Sequence, residues 1–187
     1  MRAKRLFLNI LTPLLLSACA GETDRYTVPS PSVTETVAIR FASVEIRDVS
    51  LPSYAASEEI HQQSEGGILK SSTAVLWADA PERAVELEFA RNLAKITRAR
   101  VASDPWPFEA FPDARLEVRF EELLPGADGV LRASGQYFVA VEDGRERSGL
   151  FEQAVSFDPE AGPAAIANAR GQIILDVALY IARNGLK

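Results

Sequence analysis

One cysteine and one histidine stand in this chain of 187 residues, and the chemistry open to them sets the first limits on function. A lone cysteine cannot close an internal disulfide, build a thiolate metal site or form a Cys-x-x-Cys redox pair. It can carry a modification, and the residues before Cys19 point to one. Arg2, Lys4 and Arg5 open the chain, an apolar stretch runs from Leu6 to Leu16, and Leu16-Ser17-Ala18-Cys19 follows. A basic start, a short apolar run and small residues before a cut are the parts of a secretory signal peptide. The apolar stretch contains Asn9, Thr12 and Pro13 and is far shorter than the roughly 20 residues that span a bilayer.

Leucine three positions before the cysteine, with small residues between, resembles a bacterial lipobox. In such signals the peptide is cut between Ala18 and Cys19, the Cys19 sulfur receives a diacylglycerol, and the new amino terminus is acylated. Two or more acyl chains, each methylene contributing about 0.8 kcal/mol, hold a protein on a membrane stably. The cut removes 18 residues, including the three basic ones, and takes the formal charge from −6 to −9. Ala20 after the cysteine resembles the default signal for the outer membrane.

Elsewhere the expected catalytic inventory is thin. His61 lies in the polar stretch Glu58-Glu59-Ile60-His61-Gln62-Gln63, and no nucleophile-elbow pattern supplies a serine to it. It is expected as a surface or strand histidine rather than a general base. No cofactor beyond the covalent lipid and no metal site is expected, since one histidine and a lipidated cysteine leave only carboxylates as ligands. Gly66-Gly67, Gly126 and Gly129 lack the spacing of a phosphate loop. The acidic balance, 26 Asp+Glu against 20 Lys+Arg, argues against a nucleic-acid partner. One segment has binding character: Asp104-Pro105-Trp106-Pro107-Phe108, followed by Phe111-Pro112. Aromatics on a proline-stiffened loop can anchor a partner or touch acyl chains. The alternative, favoured by the usual burial of apolar groups, folds Trp106 and Phe108 back over the core. Trp77 joins these two as a candidate partner or lipid contact.

The elements that must carry these residues form one domain. Residues 1–18 read as the signal peptide, 19–36 as a lipidated polar tether with Pro29 and Pro31, and 37–187 as the folded body. Val37, Ile39 and Phe41 alternate, and Val44 and Ile46 continue on the opposite face, which predicts either a bulge or a strand buried on both sides. Residues 57–63 and 68–77 predict a hairpin turning at Gly66-Gly67. Asp79 as N-cap, Pro81 in the first turn and Glu82 as capping-box partner predict a helix over 79–97. Its apolar stripe is Val85, Phe89, Leu93 and Ile96, and its basic second half reads as a solvated face. Three meandering strands follow, turning at 125–129 and at Asp143-Gly144. A last amphipathic helix begins near Pro163 and closes at Asn184-Gly185; Arg170, Gln172 and Asp176 mark it as a core helix and not a membrane span. The expected fold is α+β, an antiparallel sheet packed against two helices.

Several of these segments together resemble the PqiC-type ABC-transport auxiliary lipoproteins of Gram-negative bacteria. They are Tyr26-Thr27-Val28-Pro29, Val49-Ser50-Leu51-Pro52-Ser53-Tyr54, and Leu76-Trp77-Ala78 before the helix. Val101-Ala102-Ser103, Leu116-Glu117-Val118 and Ala133-Ser134-Gly135-Gln136-Tyr137 then follow in the family's order. The resemblance implies a non-enzymatic lipoprotein on the periplasmic face of the outer membrane. It would be an accessory to an MCE-domain periplasmic protein and a multi-span inner-membrane component, in a system that moves lipid and preserves envelope integrity. A ring-like homo-oligomer would match a symmetric conduit. Two other classes stay open on the sequence: an envelope scaffold or activator for wall synthesis or secretion, and a lipid-modifying enzyme.

Overall fold

The computed structural model describes residues 22–142 and 144–187. The leader, Ala18 and Cys19 lie outside them, as does Asp143 of the expected Asp143-Gly144 turn. In chain order the strands are β1 (Asp24–Tyr26), β2 (Ser43–Ser50), β3 (Gln62–Gln63), β4 (Leu69–Lys70) and β5 (Val75–Trp77). Helix α1 (Pro81–Thr97) is followed by β6 (Arg100–Ser103), β7 (Ala114–Pro125), β8 (Val130–Val141) and β9 (Arg147–Ser156), and helix α2 (Pro163–Asn184) ends the body.

Five strands form the main sheet in the order β6-β2-β7-β8-β9. The β7-β8-β9 meander is antiparallel, as the alternation and turn residues predict. The other half corrects the expected all-antiparallel sheet, because β2 runs parallel to both β6 and β7. Alternation reports which face a strand buries and carries no strand direction. Direction is set by the connections, here helix α1 before β6 and the 104–113 segment before β7.

Both helices pack on one face of this sheet. Val85, Phe89, Leu93 and Ile96, the predicted stripe, are fully buried against Val44, Ile46, Leu116 and Val118. Each fully buried side chain of this size contributes about 1.5–3 kcal/mol. Phe120 and Phe151 meet edge to face, ring centroids 5.2 Å apart, directly over Gly135. A Cβ at that position would lie 2.1 Å from the Arg119 carbonyl oxygen, so only glycine lets β7, β8 and β9 close there. Helix α2 is long and apolar enough to cross a membrane by length and composition, but most of it is buried in the body. It is the core helix the interrupted apolar run predicts.

Local differences from the sequence reading have identifiable causes. Helix α1 begins one residue late: Ala80 is its N-cap, without a side-chain bond, and Pro81, which lacks an N–H, takes the first turn. Asp79 instead accepts from the Ala80 N–H at 2.9 Å and pairs with Arg83, while Glu82 accepts from the Leu51 N–H at 3.5 Å. The strand predicted from Val37 starts at Ser43, and the bulge falls later, between Ile46 and Asp48 in the pairing with β7. The hairpin at Gly66-Gly67 forms as β3–β4, whereas β5 pairs parallel with β1.

That β1–β5 pairing corrects the reading of residues 24–36 as free tether. The segment is a strap laid along the two helices. Tyr26, Val28 and Val33 pack on the core, the Pro29 carbonyl sits against Gly171 of α2, and Glu35 pairs with Arg183, whose Nε donates at 3.2 Å. The Val37 N–H then donates to the Ile96 carbonyl at 2.9 Å and that of Arg40 to the Leu186 carbonyl at 3.3 Å. Prolines and polar residues resemble a linker in composition, but this one supplies its few apolar groups at the contacts.

Candidate interaction surfaces

The three aromatic residues singled out by sequence part company. Trp77 is 7% exposed and forms part of the core, so it is corrected from a partner contact to a packing residue. It ends β5, with its ring beneath the guanidinium of Arg170, which lies 4.5 Å from the ring centroid. Arg170 is 3% exposed, donates to the Pro81 carbonyl at 3.3 Å and faces Glu88 of α1 at 3.7 Å. Burial pushes the Glu88 carboxyl up against the pull of Arg170 and Arg91, and burial pushes Arg170 down against the attraction of Glu88. Both shifts favour the neutral forms, so desolvation outweighs the pair's mutual attraction. Glu88 Oε2, Arg170 Nε and both side-chain polar atoms of Asn92 have no protein partner. This buried polar seam joins α1 to α2.

Sequence reasoning did not single out Glu88, and took Arg170 only as an interruption of the apolar run that marks α2 as a core helix. The signal was there in the spacing: Val85, Glu88, Phe89, Asn92, Leu93 and Ile96 fall on one helical stripe, so two polar residues occupy core positions.

His61 and Arg170 approach one small cavity with Tyr54, Trp77 and Leu131. Its volume of about 20 Å³ holds roughly one water and no organic substrate. His61 Nδ1 is 3.0 Å from the Glu59 carbonyl oxygen, a local contact within one short segment. Among the described residues, no group of three His, Cys, Asp or Glu side chains converges on a metal-sized site.

Trp106 and Phe108 lie at the opposite end of the molecule, in the segment between β6 and β7. The Asp104 N–H donates to the Ile46 carbonyl at 2.9 Å, and at the far end Asp113 accepts from the N–H groups of Ala42 and Ser43 at 2.7 and 2.9 Å. Pinned at both ends, the loop closes on itself: Trp106 Nε1 donates to the Ala110 carbonyl at 2.7 Å, and the Trp106 and Phe108 rings meet edge to face at 4.9 Å. Trp106 is half-buried, but Phe108 is 42% and Phe111 73% exposed, so the loop does not fold back over the core as burial alone predicts. Arginines attend the rings, Arg100 at 4.9 Å from the Phe108 centroid and Arg115 at 6.0 Å from that of Phe111. An aromatic surface ordered by its own hydrogen bonds and flanked by guanidinium groups has the composition of a protein-binding hot spot.

The outer face of the sheet, away from the helices, is polar with apolar islands. Arg119 lies over Phe138, its guanidinium 4.9 Å from the ring centroid, and Leu150 on the edge strand β9 is 68% exposed. An open groove of about 460 Å³ runs beside Phe138, between Glu117 and Arg147.

Solved structures with this architecture exist. An uncharacterized protein matches with a TM-score of 0.70 at 16% identity, over 87% of this chain and 98% of its own. A Xanthomonas campestris protein of the DUF330 family matches with a TM-score of 0.63 at 17% identity, over 85% of this chain and 92% of its own. A PelC dodecamer from Paraburkholderia phytofirmans is more distant, with a TM-score of 0.45 at 15% identity, covering 79% of this chain and 92% of its own. No curated protein matches the chain. At these identities the first two structures share the fold alone. The sequence itself matches across the body, from residue 26 to 182, and so the chain belongs to the family of ABC-type transport auxiliary lipoprotein components.

Proposed function

We propose that this protein is a non-catalytic accessory subunit of an MCE-type intermembrane lipid transport system, held by acyl chains on Cys19 at the periplasmic face of the outer membrane. The observation that carries this reading is the family match over residues 26–182, set behind a lipobox-like Leu16-Ser17-Ala18-Cys19. An auxiliary component needs an attachment and a docking surface rather than a reactive centre. The chain supplies a candidate acylation site, a strap fixed along the body and an exposed Phe108–Phe111 loop. The partners on this reading are an MCE-domain periplasmic protein and a multi-span inner-membrane component, with a homo-oligomer as the form that matches a symmetric conduit.

The test is co-purification after gentle extraction, with Cys19→Ser alongside. The parent chain is expected in the outer-membrane fraction with an MCE-domain protein bound, and Cys19→Ser is expected to leave the membrane. A chain that fractionates with the outer membrane regardless of Cys19, or that never retains an MCE-domain partner, would overturn the proposal.

A further inference from the structure

Two large apolar side chains stand uncovered at one tip of the body. Ile68 is 63% and Leu69 40% exposed, where the β3–β4 hairpin turns. Gly66 and Gly67 make the turn at φ of 80° and 82°, values natural to glycine and strained for other residues. The Ser64 N–H and hydroxyl both donate to the Ile68 carbonyl, at 2.8 and 3.0 Å. The tip is therefore shaped by its own backbone and holds its apolar pair outward. Glu65 and Lys70 flank it with opposite charges, which leaves the tip itself neutral.

The direction in which the chain reaches the body places this tip. β1 is parallel to β5, with Asp24 opposite Val75 and Tyr26 opposite Trp77, and the Asp24 N–H donates to the Ala74 carbonyl at 2.8 Å. In a parallel pair the two strands are entered from the same side. Glu22 and Thr23 thus lead into β1 from the side of Ser71–Ala74, where the hairpin stands. Five residue steps lie between Cys19 and Asp24, a span of about 18 Å at full extension. With Cys19 acylated, as the proposed function has it and on which this step rests, the hairpin side of the domain is held at the bilayer. From Tyr26 the strap runs the other way, to the end where Arg40 lies by Leu186 and Phe108 by Arg100.

We infer that the Ile68–Leu69 tip is a membrane-contact element, seated in the interfacial layer of the bilayer that holds the acyl chains. Apolar side chains on a tight turn gain by leaving water at that depth, as aromatic and aliphatic groups of interfacial proteins do. Anchor and tip together give two points of attachment on one side of the domain. They orient it, with the Trp106–Phe108 loop directed away from the membrane toward the periplasmic space. Because Glu65 and Lys70 offset each other, the contact is apolar in origin and insensitive to salt.

The test uses the full lipidated protein in vesicles of phosphatidylethanolamine and phosphatidylglycerol, some lipids carrying a nitroxide on the acyl chain. Acylation blocks the Cys19 sulfur, so an Ile68→Cys or Phe108→Cys variant has a single free thiol for an environment-sensitive fluorophore. The label at position 68 is expected to shift to shorter wavelength and lose about half its emission to the nitroxide, at low and high salt alike, while the label at position 108 is unchanged. A label on Lys70→Cys is expected to be quenched likewise, and to lose that quenching about tenfold when Ile68→Ser and Leu69→Ser are added. Equal, weak quenching at 68 and 108 in vesicle-bound, acylated protein overturns the contact. So does a position-68 label that is shielded from aqueous iodide yet untouched by the nitroxide, which marks a second copy or another protein at the tip. A chain whose mass shows no acyl addition overturns the anchor itself and, with it, the geometry from which the contact is inferred.

Discussion

The buried Glu88–Arg170 pair offers the sharpest quantitative test of how the two helices are joined. At 3.7 Å, with an effective dielectric of about 20, two unit charges attract by about 4–5 kcal/mol. Both side chains are nearly free of solvent, so salt screens little of this. Removing one partner strands the other, at a cost of about 3–5 kcal/mol, whereas replacing both by apolar groups of similar size is close to neutral. Arg170→Met and Glu88→Gln are therefore each expected to lose several kcal/mol, and Glu88→Leu with Arg170→Met to recover most of it. The two single variants differ in pH dependence. Burial already raises the Glu88 carboxyl, and loss of Arg170 raises it further. The folded state then holds a proton that the unfolded state releases above about pH 4.3, so stability falls as pH rises from there toward the raised folded value. The slope reaches about 1.4 kcal/mol per pH unit. Glu88→Gln leaves only an arginine, which does not titrate in that window. Urea unfolding from pH 5 to 8, followed by tryptophan fluorescence, measures both effects. A coupling energy below about 1 kcal/mol, or an Arg170→Met variant whose stability is flat with pH, would refute the account of the seam as a desolvated ion pair.

Two further outcomes follow from packing. A Cβ on Gly171 would lie 2.4 Å from the Pro29 carbonyl oxygen, so Gly171→Leu is expected to lift the strap. Overpacking of this kind costs about 1–3 kcal/mol and here should speed proteolysis near Pro29 and Pro31, read by limited digestion and mass spectrometry. Phe108→Ser with Phe111→Ser is expected to leave stability within about 0.5 kcal/mol while lowering recovery of the MCE-domain partner, whereas Leu116→Ala, at a fully buried site, should cost about 2–5 kcal/mol; denaturant unfolding and co-purification separate the two.

Much of the architecture was legible in one dimension because period and punctuation are local properties. The stripe Val85-Phe89-Leu93-Ile96 marked α1, the alternation from Leu116 to Val141 marked β7 and β8, and the run from Ile166 to Ile181 marked α2. The candidate attachment at Cys19 is equally local, read from the three residues before it. What period cannot carry is direction and partnership. The parallel placement of β2 between β6 and β7 arises from long connections. The strap of residues 24–36 looked like a tether because its composition is polar, although Gly171 and Arg183 supply contacts that hold it.

The candidate surfaces divide along the same line. From residue types alone, Trp77, at the end of a predicted strand, and Trp106 and Phe108, in a proline-rich loop, were all candidate contacts. Their fates depend on groups far away in the chain: Arg170 covers Trp77, whereas hydrogen bonds from Asp104 to Ile46 and from Ala42 and Ser43 to Asp113 hold the Trp106–Phe108 loop outward. The sequence by itself determined the candidate attachment at Cys19, the α+β element order and the family, because motifs and periodicity are written in neighbouring residues. Only the tertiary structure decided which aromatics face solvent, that Glu88 and Arg170 meet in the core, and that β1 is entered on the same side as β5, next to Ser71–Ala74. Burial, charge pairing and strand direction are relations between distant parts of the chain, and they exist only once it is folded.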